Sequence, residues 1–303
     1  EDEDELRKYG HSKEHRPNPI TQMGLFMDAN GIPLAFNINP GNTNEQQTLT
    51  PLEKTIIKDF KLSKFVVCTD AGLASNDNRK FNNVGNRAFI TTQSIKLLKK
   101  HLKEWALSPT DWHLPGSDKK YNINSIQKKL EAITDLNKKQ KIMNLTFFKE
   151  KWINENGLEQ KLIVTFSFKF QQYQKHIRQG QIERAIKTIE NKNSKFNKRK
   201  STDFKRFIKQ TNVTQDGEIA ENKMLSIDED VIAKEELFDG FYAVCTNLDD
   251  DVREIIKANH RRWQIEECFR IMKSEFKARP VYLSREDRIR AHFTICFISL
   301  LIY

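Results

Sequence analysis

The stretch Lys64-Phe65-Val66-Val67-Cys68-Thr69-Asp70-Ala71-Gly72 decides the fold class, because an apolar, β-branched run ends abruptly in a carboxylate and two small residues. It reads as a short strand that delivers Asp70 to its end. Upstream, Ile20 to Asp28 and Ile32 to Ile38 flank Asn30-Gly31, two apolar runs about a turn dipeptide, which predicts a β-hairpin. After Pro40-Gly41-Asn42 the pattern changes to Leu49, Leu52, Ile56 and Phe60, spaced by three and four along one helical face. Downstream, Arg87 to Thr92 reads as a second strand. Hairpin, helix, strand, strand predicts an α/β domain, a mixed sheet flanked by helices.

From about Lys96 to Lys234 the texture is different. Lysine-rich helical segments surround one period-two run, in which Leu162, Val164, Phe166, Phe168 and Phe170 alternate with Ile163, Thr165, Ser167 and Lys169. The run from Gln171 to Arg206 is dense in basic residues, with Phe196, Phe204 and Phe207 interleaved; the aromatics are expected in a core, and some of the lysines on nucleic acid. Gly240 to Thr246 supplies a further strand, so the middle of the chain reads as an insertion with β-structure of its own.

The 303 residues are 38% hydrophobic, enough to build a core and too much for a disordered chain. Lysine plus arginine number 51 against 41 acidic residues, a formal charge of +10, which points to a polyanionic partner. The excess is local: residues 96–211 hold 27 basic and 11 acidic side chains, while both flanks are slightly negative. A segment gripping a phosphate backbone has this charge, and so does a solvated lysine-rich helical surface. Cys68, Cys245, Cys268 and Cys296 are far apart, with no paired spacing for zinc or a disulfide framework. Phe293 to Tyr303 is too short to span a bilayer and reads as a buried helix. The opening Glu1-Asp2-Glu3-Asp4-Glu5 is unlike a secretory signal, so the expected location is cytoplasmic, with no membrane partner.

The last third carries the most informative spacing. Ile265, Phe269, Met272 and Phe276 line one helical face that must pack on the sheet. Arg262, Glu266 and Lys273 line an adjacent face. A glutamate flanked by two cations suits a metal ligand or catalytic carboxylate beside phosphate-binding groups. A plain Arg262–Glu266 surface ion pair, worth a few tenths of a kcal/mol, fits the spacing too.

Three stretches together carry a resemblance: Tyr9-Gly10-His11-Ser12-Lys13-Glu14-His15-Arg16-Pro17, the strand ending Thr69-Asp70-Ala71-Gly72, and His260-Arg261-Arg262-Trp263-Gln264-Ile265-Glu266-Glu267 with Lys273. The chain resembles insertion-sequence transposases of the DDE class, in particular the subgroup with a β-rich insertion and a Tyr-x2-Arg-x3-Glu-x6-Lys signature. Arg262, Glu266 and Lys273 match that signature, whereas Asn259 stands where its tyrosine would be. The resemblance implies a ribonuclease H-like fold in three parts: catalytic residues 1–110, a basic insertion over 111–235, and catalytic residues 236–303. It also implies that the first core strand is missing. The family's first catalytic aspartate ends a strand that precedes the Gly-His-Ser-Lys segment, and neither Asp2 nor Asp4 takes that role.

The activity so implied is metal-dependent cleavage of DNA at transposon ends followed by strand transfer. Two divalent ions, magnesium or alternatively manganese, would be held by three carboxylates, with Asp70 and Glu266 as catalytic metal ligands. Arg262, Lys273, His260 and Arg261 would bind DNA, and Trp263 would pack in its helix. His11 and Lys13 would lie near the site mouth or stabilise a turn. Double-stranded DNA, both element ends and target, is the expected partner, and synapsis of two ends would call for a homodimer. The competing readings are a truncated, inactive DNA-binding remnant and a nuclease or RNA-binding protein of the same superfamily.

Overall fold

A computed structural model describes residues 4–10, 17–191, 203–212 and 223–303. His11 and Lys13 lie outside the described residues, as does Phe196. The strands in chain order are β1 (Thr21–Met27), β2 (Pro33–Pro40), β3 (Phe65–Thr69), β4 (Arg87–Thr92), β5 (Trp112–Leu114), β6 (Ser117–Tyr121), β7 (Phe147–Glu155), β8 (Leu158–Phe166), β9 (Ile208–Asn212), β10 (Lys223–Ile227) and β11 (Phe241–Thr246). The helices are α1 (Glu45–Asp59), α2 (Asn76–Phe81), α3 (Lys100–Leu107), α4 (Ile123–Ala132), α5 (Leu136–Met143), α6 (Phe168–Glu190), α7 (Glu229–Glu236), α8 (Val252–His260), α9 (Trp263–Ser274) and α10 (Glu286–Ile302). A seven-stranded sheet runs in the order β3-β4-β11-β8-β7-β5-β6. Since β3 is parallel to β4 while β11 is antiparallel to it, the sheet is mixed, as the order of elements predicts and as a ribonuclease H-like domain requires.

The chain divides into two compact units, one formed by residues 1–93, 151–162 and 244–303, the other by 94–150 and 163–243. In the first, the hairpin forms where the sequence predicts it, as a two-stranded sheet of its own. Its tip needs Gly31, which sits at φ 89°, with Gln264 3.0 Å from where a Cβ would be. Leu25 and Ile38 from the hairpin are buried with Met272 of α9 and Ile289, Phe293 and Leu300 of α10. Ile265, Phe269 and Phe276 pack against the same cluster, so the apolar face read from their spacing does cover a sheet, the hairpin.

In α1, Asn44 caps the N-terminus, and Leu49, Leu52 and Ile56 are buried. Phe60 is 50% exposed, because the helix ends one residue earlier and Lys61 turns the chain at φ 50°. The unexpected buried member of α1 is Glu53. Both of its carboxylate oxygens accept from Asn82 Nδ2 at 3.0 Å, and burial pushes its pKa up to about 7. Among the described residues β3 pairs only with β4 and so ends the seven-stranded sheet.

The second unit departs from the sequence reading in two places. Phe168 and Phe170 do not continue the strand: β8 stops at Phe166, and the Ser167 hydroxyl accepts from the Phe170 N–H to cap α6. A cap residue at the edge of an alternating run overrides the alternation. The region also holds more than one strand, with β5, β6, β7, β9 and β10 in addition. The sharpest missed signal is Asn156-Gly157, a hairpin dipeptide with φ 54° and 73°, which joins β7 to β8. Aromatic rings fill this unit: Trp112, Phe147, Phe166, Phe168 and Phe241 meet edge-on or tilted, with centroids 4.9–6.2 Å apart. Phe207 is fully buried and Phe204 packs beside it, as the core reading of those aromatics requires. Arg178 of α6 forms a buried two-pronged pair with Asp239, at 2.7 and 2.6 Å.

One further expectation is corrected in α10. Its inner face is buried, but Ile295, Ile298 and Ile302 are 64%, 49% and 81% exposed, so the apolar run 293–303 is half-buried. No helix among the described residues is long and apolar enough to cross a membrane.

Candidate active site

The site is built on the C-terminal ends of β3 and β4. Thr69 is the last residue of β3 and is buried; Asp70 follows it into solvent. The Oδ1 atom of Asp70 accepts from the backbone N–H groups of Gly72 at 2.9 Å and Leu73 at 3.2 Å, capping a single turn of 3₁₀ helix. That explains the small residues after the aspartate, since a Cβ on Gly72 would lie 3.2 Å from the same oxygen. Beneath it, Thr69 donates its hydroxyl to Thr91 at 2.9 Å, and Thr91 reaches the Asp70 carbonyl at 3.3 Å. The aspartate is therefore held through its side chain and its backbone.

Arg262 approaches the same strand ends from the start of α9. Its Nη1 donates to the Thr69 carbonyl at 3.2 Å, to the Thr92 hydroxyl, and to Asn259 Oδ1 at 3.5 Å. Asn259 is buried at 8% exposure, and its Oδ1 also receives the Cys68 thiol at 3.8 Å. Burial pushes that thiol up to about 11, with Arg262 opposing the shift, so Cys68 stays protonated at neutral pH and acts as a small apolar filler with a weak donor. Asn259 thus occupies the packed joint between β3 and α8, where a phenol would have needed far more room.

Glu266 is exposed in the first turn of α9, one helical turn beyond Arg262. No ion pair joins Arg262 and Glu266 among the described residues; the arginine is committed to the strand ends, which removes the surface-pair reading of their spacing. Arg261 is directed elsewhere, donating to the carbonyl of Ala29 at the hairpin tip at 3.1 Å. His260 is exposed at the end of α8, and Lys273 is exposed in the last turn of α9 with its ammonium 5.8 Å from the centre of the Phe269 ring. Trp263, expected to be packing, is 58% exposed, because as the first residue of α9 it precedes the turns that cover the hairpin. The fold brings Arg262 to the strand end that carries Asp70 and sets Glu266 on the adjoining turn. It does not join the two carboxylates by a shared partner among the described residues.

Several residues that shape the site went unread in the sequence. Thr91 and Thr92 matter through register, Thr91 lying beside Thr69 in the ladder. Arg79 braces the loop beyond Asp70, donating to the Ala74 carbonyl and to the side-chain carbonyls of Gln160 and Gln93 at 2.8–3.1 Å. A pair of threonines closing one strand opposite a threonine on the next was the available signal.

Comparison with known families supplies the decision. A family model of the transposase DDE domain matches residues 2–302, almost the whole chain. The chain belongs to the transposase DDE domain family. No curated protein gives a significant match.

For a DDE transposase domain the question is whether these residues fit a metal centre. Asp70 and Glu266 are oxygen donors, the right kind for magnesium. Among the described residues, however, no three His, Cys, Asp or Glu side chains are grouped to hold an ion. The Oδ1 of Asp70 is moreover engaged with two backbone amides. The donor set fits in kind and falls short in number, so the described residues of this transposase domain do not complete a metal centre.

Proposed function

We propose that this chain is the DNA-processing part of an insertion-sequence transposase, acting on double-stranded DNA at the ends of the element. In this reading an activated water attacks the phosphorus of the scissile phosphodiester, the 3′-oxygen leaves, and that 3′-hydroxyl then attacks a phosphorus of target DNA in the same geometry. Asp70 and Glu266 are the acidic pair next to the reacting phosphate. Arg262 is a positioning residue that holds their elements together. His260, Lys273 and Arg261 supply cationic charge for flanking phosphates, and the basic residues within 111–235 grip DNA away from the reacting bond. Divalent magnesium belongs to the reading, with Asp70 and Glu266 as the residues that would hold it, although no three such side chains are grouped among the described residues. Two DNA ends would be brought together by two copies of the chain.

The observation that supports this reading is the bond from Arg262 to the Thr69 carbonyl, which ties the first turn of the Glu266 helix to the strand of Asp70. The test is cleavage and joining of labelled end-sequence DNA in magnesium buffer, with Asp70→Asn and Glu266→Gln alongside. Activity lost in both variants, with folding and DNA binding retained, is the expected result. Cleavage that survives both substitutions would overturn it.

A second reading takes its start from the donor set, which has no group of three among the described residues: a remnant that binds DNA without cutting it. DNA binding with no cleavage by the chain, and no difference between wild type and the two variants, would favour the remnant.

A further inference from the structure

The outward face of α6 is built for something to lie against it. Lys169, Tyr173, His176, Gly180, Arg184 and Lys187 recur at spacings of four, three, four, four and three, which places them in one stripe opposite the buried Arg178 and Ala185. Tyr173 is 60% exposed, and the three long cations of the stripe are exposed as well. From Lys169 to Lys187 the stripe is roughly 27 Å long at 1.5 Å per residue.

Its middle is the telling part. Gly180 sits in the interior of a 23-residue helix, where glycine is a poor helix former. Among the described residues nothing lies within 4 Å of the position a Cβ would take, so they do not demand the glycine. What the glycine creates is a notch in the outer face. Arg184 leans over that notch, its Nε donating to the Gly180 carbonyl at 3.1 Å while its exposed guanidinium stands 5.9 Å from the centre of the Phe204 ring. Glu183 lies at the edge of the stripe, and its carboxylate takes the Gln179 amide.

We propose that this stripe docks the sugar-phosphate backbone of duplex DNA, with Gly180 at the point of closest approach and Lys169, Arg184 and Lys187 on phosphates. A row of cations answers a row of phosphates, the tyrosine offers a hydroxyl donor, and the missing side chain lets a convex backbone come close to the helix. The inference rests on DNA being the substrate, as proposed above, and adds where the second unit holds it.

The test is binding of the full chain to a fluorescent duplex of about 30 base pairs, measured by anisotropy over a salt series. Gly180→Ala and Gly180→Gln are expected to weaken binding in that order, the glutamine variant by about fivefold or more, while the melting temperature stays level or rises because both residues favour helix. Lys169→Gln with Lys187→Gln should flatten the slope of log affinity against log salt by about 2, and Lys128→Gln with Lys129→Gln on α4 should change neither quantity as much. Unaltered affinity in Gly180→Gln, or equal losses from the α4 pair, would overturn the stripe while leaving cleavage by Asp70 and Glu266 as a separate question. A wild-type chain that binds no duplex would overturn both.

Discussion

The Nη1 atom of Arg262 lies 3.2 Å from the carbonyl oxygen of Thr69. The residue one turn before Glu266 is therefore bonded to the residue one position before Asp70, across nearly two hundred residues of sequence. Neither partner is a carboxylate, yet this contact and the Thr92 hydroxyl set where the two candidate carboxylates stand.

Arg262→Lys keeps the charge, but the shorter lysine does not carry its ammonium to the place where one Nη1 atom now meets both a carbonyl and a hydroxyl. We expect a loss of about 1–3 kcal/mol in urea unfolding, with a similar value for Arg262→Ala. In a double-mutant cycle with Thr92→Val the losses should fall short of additive. Strict additivity would mean that the two side chains do not act on each other.

Asp70 does two things that substitution can separate. Asn at position 70 keeps an oxygen for the Gly72 and Leu73 amides, so Asp70→Asn should melt close to the wild-type temperature, whereas Asp70→Ala should lose about 1 kcal/mol with its cap. Both variants should fail to cleave DNA. Equal stability of the alanine and asparagine variants would remove the capping role.

Glu53 makes a signed prediction for pH. Its carboxyl is raised to about 7 by burial, so the folded chain holds a proton there that the unfolded chain releases near its ordinary value of 4.5. The native state binds more protons between those values, and stability falls as pH rises from about 4.5 to 7, by up to roughly 3 kcal/mol from this group. Glu53→Gln should abolish that part of the slope and stabilise the chain at pH 8, its amide standing beside Asn82, whose buried Oδ1 has no partner among the described residues. Thermal melts at pH 5 and pH 8 decide it; a glutamine variant less stable than wild type at pH 8 contradicts the argument.

The Arg178–Asp239 pair is almost fully buried, with both side chains under a tenth exposed. Removing Asp239 leaves Arg178 with the half-exposed Glu236 at 3.1 Å, so Asp239→Ala should cost about 3 kcal/mol, the low end for a broken buried pair, while Arg178→Met combined with Asp239→Leu should recover much of that. Equilibrium unfolding of the three chains checks this, and an equally unstable double variant would argue against it.

Much of the first unit was legible because its signals are local. The Asn30-Gly31 turn, the spacing of Leu49, Leu52 and Ile56, and the run ending at Asp70 each specify an element without help from the rest of the chain. The helix face of Ile265, Phe269 and Met272 was equally plain. The site itself was legible only as residue types: Arg262 and Glu266 could be paired on paper as neighbours on a helix, but the arginine's true partners come from strand register, which a linear pattern does not encode. Glu53 could not be foreseen, since its burial depends on Asn82 arriving from another helix. In the second unit a single serine after Phe166 converted an apparent strand into a helix, because capping is decided by one side chain and alternation by many. The Asn156-Gly157 turn shows that a strong signal can also be passed over when the residues around it are read as helical.

Among the described residues β3 is the last strand of its sheet, which has a consequence for the persistence of the site. The Phe65 amide bonds to Asn86 on the β4 side, so by the alternation of a strand the Val66 and Cys68 amides face outward, and Val66 is 51% exposed. Solvent deuterium should therefore replace those two protons well before the amides of β4, and the acid at position 70 rides on the rim of the sheet most readily peeled open.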